Sequence, residues 1–249
     1  MISFLTSSPG GWRREEDKAV PCGFDRRNGF VDELKKYWRS NSRCLMISSD
    51  PDDTEMNELV RDVFRESLSL SGLLCVCCDL CDRRSGLSRE EIGGYDVIVL
   101  SGGHVPTENR FFREIGLREK LCGFDGIVIG ISAGSMNSAE VVYAQPELEG
   151  EASDPEYSRF LSGLGLTDLM ILPHYQDVRD TVLDGMRVME DITYPDSVGR
   201  RFYALVDGSY ITVSEGGTTL HGEAWLIENS GIRKICEEDE QICLTRREE

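Results

Sequence analysis

Apolar runs of strand length recur along the first half of the chain, separated by stretches whose apolar residues fall at helical spacing. Residues 2–7, 44–48, 73–80, 96–100 and 126–130 read as five strands. Between them, residues 30–38 place Phe30, Val31, Leu34 and Trp38 on one helical face. Residues 56–70 predict a helix with Leu59, Val60, Val63, Phe64 and Leu68 as its buried stripe. Residues 108–121 predict another. Alternating strands and helices, with strands that are apolar almost throughout, predict an α/β fold: a mostly parallel central sheet with helices on both faces. Ligands in such folds sit beyond the carboxyl ends of the strands. Both Gly102-Gly103 and Ser132 fall at those ends.

The pattern changes after Ser132. Residues 147–156 form a polar, acidic loop, and residues 164–173 return to the fold and deliver His174. Residues 178–189 predict a helix. Strands at 203–206 and 210–213 flank Asp207-Gly208-Ser209, a hairpin signal, and 224–228 reads as a further strand. The tail, about 237–249, is highly charged and is expected to fray beyond Leu244. With no internal repeat, low-complexity tract or clear linker, residues 1–249 read as a single domain.

Composition narrows the function. The 249 residues carry a formal charge of −18, which argues against nucleic acid, since binding it needs cationic surface to replace counterions. No run of about 18 apolar residues predicts a membrane span. The first residues lack the basic and apolar regions of a signal peptide, so a cytoplasmic location is expected. The nine cysteines then read as thiols rather than a disulfide framework. Four of them crowd into Cys75-Val76-Cys77-Cys78-Asp79-Leu80-Cys81, where two Cys-x-x-Cys spacings overlap. Without a second, distant pair, a buried strand explains them better than a metal site.

Gly130-Ile131-Ser132-Ala133-Gly134 carries the candidate chemistry. It follows the strand Ile127-Val128-Ile129 and precedes small, helix-forming residues, so the serine sits at the apex of a sharp turn. The glycines remove Cβ atoms where strand and helix crowd each other. A serine nucleophile needs a base, a group that orients that base, and donors for the oxyanion. Of the three histidines, His174 lies at the same rim as Ser132 and is the favoured base. His104 lies there too and suits a pocket-lining role, while His221 reads as an exposed turn residue. The amides of Ala133 and of the Gly102-Gly103 pair are candidate oxyanion donors. The orienting acid is open among Glu147, Glu149 and Glu151.

Together these segments resemble the peptidase E and cyanophycinase family of serine peptidases. Residues 129–135 are similar to its nucleophile turn, Leu100-Ser101-Gly102-Gly103 to its glycine pair, and Gly163-Leu164-Gly165-Leu166 with Leu172-Pro173-His174-Tyr175 to its histidine segment. Residues 203–209 and 220–224 are similar to its closing hairpin. The resemblance implies a class I glutamine amidotransferase-like, flavodoxin-like sandwich. It also implies a triad in the order nucleophile, acid, base: Ser132, Glu147 by spacing, and His174, with Gly103 and Ala133 as oxyanion amides. Gly102, His104, Ser135 and Arg179 would line the substrate site. Two positions depart from the family pattern: Ser135 replaces an alanine, and the basic stretch that binds an N-terminal aspartate is here Gln176-Asp177-Val178-Arg179-Asp180.

The expected activity is hydrolysis of short peptides, N-terminal aspartyl dipeptides among them, without metal or organic cofactor. The partners are then a small peptide substrate, no nucleic acid and no membrane, with a homodimer open to the chain. An amidotransferase-like or esterase-like hydrolase, or a non-catalytic ligand-binding relative, are the competing expectations.

Overall fold

Side-chain alternation on five short apolar strands sets the architecture. The computed structural model describes residues 1–16 and 18–244. Strands β1 (Ile2–Thr6), β2 (Ser42–Ile47), β3 (Cys75–Cys81), β4 (Val97–Leu100) and β5 (Ile127–Ile131) pair in parallel in the order β1-β5-β4-β2-β3. Phe4, Met46, Val97, Val99 and Ile129 face one side, packed with Phe30 and Leu34 of helix Phe30–Lys35 and Phe64 and Leu68 of helix Thr54–Leu70. Leu45, Ile47, Ile98, Leu100 and Val128 face the other, under Phe111 and Phe112 of helix Val105–Glu114 and Leu117 and Leu121 of helix Leu117–Leu121. Burial on both faces is why β1, β2, β4 and β5 read as continuous apolar runs. The predicted α/β architecture, mostly parallel with helices on both sides, is the one observed.

The two larger sheets are completed by β6 (Met170–Leu172), β7 (Arg201–Leu205), β8 (Tyr210–Ser214), β9 (Gly217–His221), β10 (Ala224–Glu228), β11 (Gly231–Cys236) and β12 (Gln241–Leu244). β8, β9 and β12 extend the main sheet beyond β1 with antiparallel pairing, giving it eight strands. β6, β7, β10 and β11 form a separate sheet. The strands around Asp207-Gly208-Ser209 are therefore not a hairpin. β7 and β8 lie in different sheets, and the turn, with Gly208 at φ +90°, carries the chain between them.

Other local expectations give way to turn chemistry. The helix predicted over 178–189 is a one-turn helix, Tyr175–Val178, and then a two-residue hairpin, Val182–Leu183 with Met186–Arg187. Asp184 and Gly185 at its tip both have positive φ (53° and 81°), the geometry an Asp-Gly hairpin favours. The helix expected over 108–121 breaks at Gly116 (φ +60°). The cysteine-rich strand is an edge strand rather than a buried one, with Val76 exposed. Cys78 and Cys81 pack into opposite faces of the sheet, which parts one Cys-x-x-Cys pair, and burial pushes the Cys78 thiol up to about 12. Part of the charged tail is ordered, since Gln241–Leu244 pairs with β9; the expected fraying beyond Leu244 falls outside the described residues.

Helix Thr54–Leu70 is capped by Asp53, whose carboxylate accepts the Met56 N–H at 3.1 Å. Its expected stripe divides: Phe64 and Leu68 are buried, but Leu59 and Val60 are exposed. Beside it lies a hairpin that the hydrophobic pattern did not predict, Gly10–Glu15 with Lys18–Phe24, tethered where Ser67 Oγ donates to the Gly11 carbonyl.

The helix after β5, Ala133–Asn137, begins hard against the sheet. A Cβ at Gly134 would overlap the Leu100 carbonyl, and one at Gly130 would lie 2.9 Å from the Ser135 backbone. Gly134→Ala should therefore destabilise the protein by about 1–3 kcal/mol through overpacking. The measurement is a urea unfolding curve, expected to show a lower midpoint at unchanged slope; an unshifted midpoint contradicts the packing argument.

Candidate active site

Ser132 occupies the corner between β5 and helix Ala133–Asn137 with φ 50° and ψ −112°. A residue bearing a Cβ pays strain there and stays only if its surroundings hold it. They do: its N–H donates to the Thr6 and Ser7 carbonyls at 3.1 Å each, and the Gly134 N–H donates to the Ser101 carbonyl at 3.1 Å. The hydroxyl is thus fixed at the carboxyl ends of β1, β4 and β5, and the residue remains partly exposed.

His174 follows β6 in a left-handed conformation (φ 55°, ψ 36°). Its Nε2 lies 2.9 Å from Ser132 Oγ, and its Nδ1 lies 2.8 Å from Asp207 Oδ1. Ser7 Oγ donates to the same Asp207 oxygen at 2.7 Å and accepts the His174 N–H at 2.8 Å. The Asp207 N–H donates to Gln176 Oε1 at 3.2 Å. An ionised Asp207 only accepts, so it places the ring proton on Nδ1 and leaves Nε2 to accept from the serine.

Electrostatics agree with this arrangement. Partial burial opposes charge on His174, but the Asp207 hydrogen bond and its charge, helped by Asp177 and Glu147, outweigh it and raise the imidazole above its ordinary value. Burial likewise opposes ionisation of Asp207, yet its bonds from His174, Ser7 and Gln176 hold the carboxyl below its ordinary value. Such a set can draw a proton from a hydroxyl and keep the resulting imidazolium stable.

The structure differs from the expected site at several residues. Glu147 is not against His174; its carboxylate accepts the Val105 N–H at 3.3 Å. Glu151 bonds His104 Nε2 at 2.7 Å and accepts the Glu147 and Leu148 amides at 2.9 and 3.0 Å, so the acidic loop curls onto His104. Glu149 is exposed. His104 Nδ1 lies 2.8 Å from Thr107 Oγ1. Ser135 is fully buried and donates to the Thr6 carbonyl at 2.8 Å, so its hydroxyl serves the sheet and not a pocket. Arg179 pairs with Asp180 at 3.0 Å on the exposed surface. His221 is buried, stacked on the Tyr210 ring with centroids 4.4 Å apart, and burial depresses its pKa. Gly102 does lie against Ser132: a Cβ there would be 3.3 Å from Ser132 Cβ. At Gly103 a Cβ would overlap the Ser49 side chain, whose hydroxyl holds the Gly102 carbonyl at 2.8 Å.

Asp207 and Ser7 were not singled out from the sequence. β6 and β7 pair in parallel with Leu172 opposite Ala204. Continued two residues, that register sets His174 level with Val206, next to Asp207. Only knowledge of the pairing exposes it.

The model of peptidase family S51 matches residues 62–221 of the chain. The chain is also similar to two solved structures. One is a peptidase from an acI-B1 Actinobacterium (TM-score 0.59, 14% identity, covering 98% of this chain and 96% of that one). The other is a putative peptidase E protein from Listeria monocytogenes EGD-e (TM-score 0.56, 17% identity, covering 87% of this chain and 96% of that one). At these identities the likeness is one of fold. No curated protein matches the sequence.

The three histidines can be followed separately by NMR titration. His174 should titrate above the ordinary imidazole value of about 6.5 and His221 below it. Asp207→Asn should move His174 down and leave His221 in place. An unmoved His174 would show that Asp207 does not set its charge.

Proposed function

The chain belongs to peptidase family S51 and is a serine-type peptidase of the peptidase E type, and we propose that it hydrolyses short peptides through an acyl-enzyme formed on Ser132. The observation that carries this reading is the unbroken line of contacts from Ser132 Oγ through His174 to Asp207, 2.9 and 2.8 Å. Ser132 Oγ attacks the scissile carbonyl while His174 Nε2 takes its proton. Asp207 holds the ring and stabilises the imidazolium. The amides of Gly103 and Ala133 hold the oxyanion. His174 then gives the proton to the departing amine, and the acyl–serine ester forms as the C–N bond breaks. A water molecule, deprotonated by the same imidazole, releases the acid and restores the serine.

In this reading the acid is Asp207, and the order along the chain is nucleophile, base, acid. Glu147 acts at longer range, as one of the anions that favour the imidazolium. The expected N-terminal aspartyl preference finds no support in Arg179, which is engaged with Asp180 at the surface.

Ser132→Ala should lower turnover of a peptide substrate by several orders of magnitude with the fold unchanged by circular dichroism. Asp207→Asn should cost on the order of 10³–10⁴, because it loses the charge and the tautomer it enforces, whereas Glu147→Gln should cost far less. The reverse ranking of the two acids would reassign the triad. Attack requires neutral His174. Since its pKa is raised, kcat/KM should climb with pH through a value above about 6.5. A profile already flat below that value contradicts the assignment.

A further inference from the structure

The surface beside Ser132 is apolar in a way the catalytic groups do not explain. Between the hairpin Gly10–Glu15/Lys18–Phe24 and helix Thr54–Leu70 opens a cleft of about 490 Å³. Its walls include four large apolar side chains that stay open to solvent: Trp12 (56% exposed), Met56 (51%), Leu59 (45%) and Val60 (39%). Met46 and Ile131 also line it. Leaving such groups in water forgoes their burial, and a contiguous exposed apolar surface marks a binding site more often than it occurs idly. The helix carries a stripe patterned for burial, yet among the described residues none buries it at Leu59 and Val60.

The position of the cleft identifies what covers it. Ser101 and Gly102 line it as well, and a Cβ added at Gly102 would lie 3.3 Å from Ser132 Cβ. Ile131, also in its lining, directly precedes Ser132. The cleft therefore reaches the two residues that touch or precede Ser132, although Ser132 is not itself part of its lining. At 490 Å³ it falls within the range of small-ligand pockets and has room for a leucine or phenylalanine side chain with adjoining backbone.

We propose that this cleft is the specificity pocket of the enzyme and receives a large apolar side chain from a residue flanking the scissile bond. The proposal rests on the acyl-enzyme reading above. Substrates with leucine, methionine or phenylalanine next to the cleaved bond bury that side chain against Trp12, Met56, Leu59 and Val60 as the carbonyl meets Ser132. Arg14 and Lys18 also line the cleft, but an aspartate seated against Trp12, Met56, Leu59 and Val60 would desolvate its charge on apolar side chains, at a penalty.

Two dipeptide series test this with the full-length protein, Xaa-Ala and Ala-Xaa, where Xaa is Leu, Phe, Ala or Asp. The two series tell which side of the bond the pocket serves. In one of them, kcat/KM for Leu or Phe should exceed that for Ala by at least about tenfold, with Asp poorest. Leu59→Asp and, separately, Val60→Asp should bring that ratio close to one. Val198→Asp, at an exposed position outside the cleft, should leave it unchanged. Thermal melting of each variant checks folding, and two independent wall variants guard against loss of one. Equal rates on Leu and Ala in both series, a preference for Asp, or a ratio that survives both wall substitutions would overturn the pocket. So would a doubled mass in light scattering that Leu59→Asp halves, since a second copy would then cover the cleft. Fluorophosphonate labelling runs in parallel. Labelled Ser132 without apolar preference overturns the pocket alone, whereas unlabelled Ser132 overturns the acyl-enzyme reading and the pocket with it.

Discussion

One carboxylate oxygen holds the site together. Asp207 Oδ1 receives the ring N–H of His174 and the hydroxyl of Ser7, and the same Ser7 oxygen accepts the His174 backbone amide. Three segments distant in sequence, the end of β1, the turn after β6 and the turn after β7, are thus joined by three hydrogen bonds. An imidazole fixed at both its backbone and its Nδ1 has one direction left for Nε2, toward Ser132. The ionised acceptor makes these bonds stronger than neutral ones, and that excess is what lifts the His174 pKa against partial burial.

The second sheet has a clear part in this. β6 and β7 run parallel and end at the same rim, so one delivers His174 and the other delivers Asp207. β8 then returns to the main sheet beside β1, the strand that leads into Ser7. The turn at Asp207 cannot shift without moving either sheet. The strained Ser132 backbone is secured by a comparable device, amide bonds to the Thr6 and Ser7 carbonyls. Residues 6 and 7 therefore support Ser132 and His174 together.

Much of this was legible in the sequence where local signals and global structure agree. The five parallel strands, the nucleophile turn and the placing of His174 at the same rim follow from periodicity and from glycines where Cβ atoms would collide. Pairing between distant strands was not legible. Asp207 sits in an Asp-Gly-Ser turn that by its own chemistry reads as a hairpin, and only its strand neighbours in two sheets reveal its role. Glu147 drew attention through spacing, but its loop is bound up with His104 and Glu151. His221 was read from its glycine neighbour as exposed, while stacking on Tyr210 buries it. Leu59 and Val60 are instructive in the opposite sense: the helical pattern was right about their face and wrong about what lies against it. In a chain of net charge −18, an exposed apolar wall near Ser132 is where the sequence and the folded core part company.

The central claim is that peptide cleavage passes through an ester at Ser132. Acid quenching during steady-state turnover of a peptide substrate, followed by intact-mass and peptide-mapping mass spectrometry, tests it most directly. The account predicts an added mass equal to the substrate's acyl portion, located on the peptide containing Ser132. Continued turnover with the adduct on another residue, or with none under conditions where deacylation limits the rate, would contradict it.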